Sequence, residues 1–107
     1  MTQIQELNEA VNMLDVMIET MKKRGQDYAL ARRNYEIAKA KKMLELKESG
    51  IAMTMTQSLA LGEPHVAELR FDKDAAETLY KTVQEAIQTQ KLKIRIMEAQ
   101  IQREWGK

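Results

Sequence analysis

The chain has 107 residues, 44% apolar and 31% charged, with a formal net charge of +1, four glycines, one proline and no cysteine. That size supports one domain rather than two, and the apolar content excludes disorder while the scarcity of Gly and Pro excludes a turn-rich β fold. The absence of cysteine removes disulfides, thiol nucleophiles and thiolate metal sites, and the near-neutral balance gives no global attraction to nucleic acid.

In chain order, Ile4, Leu7, Val11, Leu14, Ile18 and Met21 recur in steps of three and four. This two-column stripe predicts a coiled-coil-like helix. It keeps its register through Gly25 to Tyr28, so one helix over about residues 3–48 is expected, with Gly25 marking either a bend or a break. A second column holds Leu30, Ile37 and Leu44, and Ser49-Gly50 reads as the stop. Residues 49–63 form the connection: 51–56 alternate like an extended segment, and Thr56 to Leu61 could make one or two turns capped by Thr56 and ended by Gly62. Pro64 suits the first position of a helix, where its missing N–H is not needed. From there Val66, Leu69, Lys73, Ala76, Tyr80, Val83, Ile87, Gln90, Ile94, Met97 and Ile101 continue the three-four stepping, giving a helix over about residues 64–105.

Folding the chain back on itself brings Leu14 to Met97, Ile18 to Ile94 and Tyr35 to Ala76. Charge favours the same antiparallel hairpin. Residues 1–21 carry four acids and no base, against five bases and two acids over residues 91–107; nine bases and three acids over 22–47 face three bases and five acids over 64–89. The expected fold is therefore all-α, a single long antiparallel helical hairpin. The stripe of such a hairpin cannot hide all the apolar residues. Met13, Val16, Met17, Leu92, Ile96, Ala99 and Trp105 fall outside the seam near the termini, and leftover apolar surface marks a partner. A second copy, completing a dimeric four-helix bundle, is the simplest partner; a different protein is the next. The Leu30/Ile37/Leu44 column is expected to be covered by Ile51, Met53, Met55, Leu59 and Leu61.

Among constellations that could carry chemistry, the bases Lys22, Lys23, Arg24, Arg32, Arg33, Lys39, Lys41 and Lys42 could follow a nucleic-acid backbone, or simply form a solvated helix face. No aromatic residues suited to base stacking accompany them. His65 is the lone histidine and sits at a helix start, so no metal set, cofactor site or catalytic group is expected. No apolar run reaches membrane-spanning length and no export signal opens the chain, so a cytoplasmic protein without a membrane partner is expected.

Four stretches together carry a resemblance: Ala31-Arg-Arg-Asn-Tyr35 with Ala40 to Gly50, Val66-Ala-Glu-Leu-Arg-Phe71, Ala75-Ala-Glu-Thr-Leu-Tyr80, and Lys91 to Trp105 with its Arg103-Glu-Trp105 ending. Over about residues 7–105 the chain resembles short helical proteins encoded by phages and prophages of Gram-positive bacteria. The resemblance implies a bacterial host cytoplasm, an accessory role in infection or lysogeny, and no assigned reaction. The function expected is protein–protein interaction with a host or phage component of DNA metabolism or defence, with direct nucleic-acid binding through residues 22–47 as the alternative.

Overall fold

The computed structural model describes residues 2–106, and all regular structure among them is helical. The elements are α1 (Gln3–Glu48), α2 (Met53–Leu61) and α3 (Pro64–Trp105). Each boundary has a local cause. Thr2 and Gln5 form a reciprocal capping box: the Gln5 N–H donates to Thr2 Oγ1 at 3.1 Å, and the Thr2 N–H to Gln5 Oε1 at 2.9 Å. At the other end of α1, Gly50 adopts a left-handed conformation with φ of 93°. The Gly50 N–H then reaches the Lys47 carbonyl at 3.1 Å and the Ile51 N–H the Leu46 carbonyl at 3.0 Å. These two bonds make a Schellman motif, which satisfies the orphan carbonyls of the last turn. Gly25 does not break α1, which is helical on both sides of it.

The connection holds the expected short helix ended by Gly62, but that helix starts earlier than expected. Residues 53–56, which alternate like an extended segment, belong to α2. Thr56 does not cap that helix. It lies inside it, buried, with its hydroxyl donating to the Met53 carbonyl at 2.9 Å. Thr56 and Ala60, four residues apart on one face, are both fully buried, and that burial offsets the weak helix propensity of Met-Thr-Met-Thr. α3 then starts at Pro64 with Glu63 as its cap, the carboxylate accepting the Val66 N–H at 2.9 Å.

The helices pack as two compact units. Unit 1 combines Met1–Lys23 with Tyr80–Lys107; unit 2 is the continuous stretch Arg24–Leu79. In unit 2, Tyr28 donates its hydroxyl to Glu77, and the Tyr35 ring lies 5.1 Å from the Lys73 ammonium. Partners descend along α3 as they ascend along α1, so the segments are antiparallel. In unit 1, the Gln90 side-chain amide donates to the Ala10 carbonyl at 2.9 Å, and Leu14 lines one cleft with Lys91 and Ile94.

These pairings lie one to about three turns from the expected register. Tyr35 lies by the Lys73 ammonium, and the clefts group Leu14 with Ile94 and Ile18 with Ile87, each a partner earlier in α3 than the expected Ala76, Met97 and Ile94. The expected register placed the fold-back at the middle of the 49–63 connection. Instead Lys42 and Glu45 line one cleft with Glu63 and His65, so the last turn of α1 overshoots the start of α3, and α2 occupies the connection.

Candidate interaction surface

Unit 1 presents the surface of most interest. Its α3 segment buries Ile87, Gln90 and Ile94, spaced by three and four residues along one face. At about 100° per residue, Leu92 lies about 140° from Ile87 and Ile96 about 180° from it. They are turned from the core, and each is 51% exposed. Ala99 shares their face and is also exposed.

On α1, Met13 and Val16 are exposed, while Met17 is half-buried beside the core positions Leu14 and Ile18. The α3 residues point away from α1, so the two sets are separate columns rather than one contiguous patch. Trp105, in the last turn of α3, is 72% exposed. Extended at coiled-coil spacing, the α3 column runs Glu85, Thr89, Leu92, Ile96, Ala99, Arg103, all of them exposed. The polar ends Glu85, Thr89 and Arg103 escape a search for apolar residues alone, although the alternating spacing of four and three was there to find them.

In unit 2 the Leu30/Ile37/Leu44 column is not covered. All three are exposed, as are Met53, Met55 and Leu59, which were expected to fold over them. Ile51 and Leu61 are half-buried. α2 turns the small residues Thr56 and Ala60 inward, which leaves its large apolar residues outside. Beside the column lies an open cleft of about 560 Å³, with Ile37, Ala38, Val66 and Leu69 among its apolar lining and Lys41, Lys42, Glu45 and Glu63 among its charged lining. Its mixed charge selects no one class of ion.

The basic residues are divided between the two units. Lys22 and Lys23 belong to unit 1, and Lys22 pairs with Glu19 at 3.0 Å. In unit 2, Arg24, Lys39 and Lys42 are half-buried. Lys39 lies 3.5 Å from Glu36 and 5.3 Å from the centre of the Tyr35 ring, and Lys42 lies 3.5 Å from Glu45. Arg32, Arg33 and Lys41 are exposed. Measured from the inward-facing Tyr35, Arg33 lies about 160° round the helix one way and Lys41 about 120° the other. Arg33 and Lys41 therefore lie about 80° apart on the face of α1 turned from Tyr35, and Arg32 lies about 60° from Tyr35.

Shifts of titratable groups within unit 2 have local causes. Backbone N–H bonds from Val66 and then His65 hold the Glu63 carboxyl below the ordinary carboxylate value. The hydrogen bond to Glu77 pushes the Tyr28 hydroxyl up, and the contact with Asp74 at 2.9 Å does the same for the Lys73 ammonium. His65 is exposed at the rim of the unit 2 cleft. Among the described residues, no group of three or more His, Asp or Glu is placed to hold a metal ion, and no helix is long and apolar enough to cross a membrane. Compared with protein families, with curated proteins and with solved structures, the chain matches none.

Proposed function

We propose that the chain is a non-enzymatic binding protein that acts through protein–protein contact and associates with itself through unit 1. One observation carries the reading. Leu92 and Ile96 are half-exposed on the side of α3 turned from its own core. The surface area supports it. The chain exposes 7915 Å² at 12.4 kDa, whereas a folded monomer of that mass exposes about 6,100 Å². The excess of roughly 1,800 Å² exceeds the about 800 Å² that each partner contributes to a standard interface.

The resemblance to short phage and prophage proteins supports an accessory role in a bacterial cytoplasm, with a component of DNA metabolism or host defence as the further partner. Light scattering tests self-association directly. The native chain should show more than its monomer mass, and Leu92→Asp combined with Ile96→Asp should give a helical species of lower mass. A native chain that is monomeric at every concentration rejects the proposal.

A further inference from the structure

The outer column of α3 has a symmetry that points to its occupant. From Glu85 to Arg103 it reads acid, Thr89, Leu92, Ile96, Ala99, base, in alternating steps of four and three. Glu85 precedes Leu92 by seven residues, and Arg103 follows Ile96 by seven. A copy of the same column run antiparallel therefore places Leu92 against Ile96, Thr89 against Ala99 and Glu85 against Arg103. Each match occurs twice about a two-fold axis. A parallel copy would set Glu85 against Glu85 and Arg103 against Arg103, so charge selects the antiparallel direction.

We infer that two copies of the chain associate through an antiparallel α3–α3 coiled coil over residues 85–103, with the Leu92–Ile96 contacts at its centre. This rests on the self-association proposed above and specifies its surface and register. Such an interface is isologous and closes at two chains. The small Ala99 facing Thr89 lets the helices approach on either side of the apolar centre. The Arg95 residues of the two copies meet on one side of the axis and the Lys93 residues on the other, a cost that these long, solvated side chains reduce by splaying apart. The α1 column of Met13 and Val16 takes no part, which leaves it free for another protein.

The test exploits a chain with no cysteine and a column whose residues are all exposed, so that substitutions there leave each unit's core intact. Glu85→Arg or Arg103→Glu alone should weaken dimerisation by about tenfold, read by light scattering over a concentration series. The double variant Glu85→Arg/Arg103→Glu should restore it, because the pairs re-form with their signs exchanged. A short thiol-specific crosslinker gives a second readout. A mixture of Thr89→Cys and Ala99→Cys chains should couple as a heterodimer. Ala99→Cys alone should not, since the two copies of residue 99 would lie about 15 Å apart along the axis.

Coupling of Ala99→Cys alone, or failure of the double charge exchange to restore the dimer, would overturn this pairing. A dimeric native mass in that same experiment would leave self-association standing through another surface. A monomeric native chain at every concentration would overturn both.

Discussion

Gln90 is a polar side chain at a core position, between Ile87 and Ile94, and it is only 8% exposed. Its amide donates to the Ala10 carbonyl at 2.9 Å. That carbonyl lies within α1, where its other lone pair serves the helix itself. Removing Gln90 therefore orphans no buried acceptor. Gln90→Ala should cost about 1–2 kcal/mol in urea unfolding, the sum of one hydrogen bond and some lost packing. Gln90→Leu should come much closer to native stability while losing the directional tie that pins the register.

Glu63 makes the pH argument. Its carboxyl titrates below the ordinary 4.5 because the ionised form accepts the Val66 N–H. Its stabilising contribution is then complete above pH 4.5 and lost as pH falls through the lowered folded value. Glu63→Gln should remove that component from an acid-unfolding profile followed by circular dichroism, leaving the profile flatter just below pH 4.5. Gln90 was already legible as a seam residue from its three-four spacing. Its acceptor was not, because a backbone carbonyl across the interface is fixed by a register that spacing alone leaves free to slide by a turn.

At the scale of elements, legibility followed local chemistry. Pro64 and Ser49-Gly50 mark helix ends through φ preferences that no tertiary contact has to supply. The Thr2/Gln5 capping box is equally local and was readable from its spacing. α2 was harder. Met53-Thr-Met55-Thr56 has the alternation of a strand, and its helical state depends on burying Thr56 and Ala60, a tertiary event that leaves no mark on propensity. The outer column of α3 lay between these cases, with its apolar middle visible and its polar ends carried only by the alternating spacing.

The Schellman stop offers a test at this scale. Gly50 has φ of 93°, and open space surrounds the position a Cβ would take. Gly50→Ala should thus destabilise by about 1 kcal/mol through backbone strain alone. Gly62→Ala provides the contrast. Gly62 has φ of −85°, and an added Cβ would approach nothing closer than 3.7 Å. That variant should match or slightly exceed native stability in the same thermal melt, since the unfolded chain loses freedom.

For the whole molecule, the question is where the folding free energy of so small a core comes from. Among the described residues the buried apolar set is Tyr35, Ala60, Val66, Ile87 and Ile94, while fifteen large hydrophobic residues are exposed. A chain of this length buries a modest fraction of its surface even when it packs well, and here roughly 1,800 Å² more stays open than for a typical monomer of this mass. The proposed self-association would move part of that surface out of water and make stability a function of concentration. The midpoint of thermal unfolding should rise by about 3 °C for each tenfold increase in protein concentration, as mass action requires of a folded dimer that unfolds to separate chains. Leu92→Asp with Ile96→Asp should abolish that dependence and lower the midpoint toward the value the native chain reaches on dilution. Both substitutions lie on the exposed side of α3, so a loss of helix content at high dilution beyond the native loss would mean that the column belongs to the core of its own unit. A midpoint independent of concentration in the native chain would mean that each copy is stable alone, with its apolar columns reserved for other proteins.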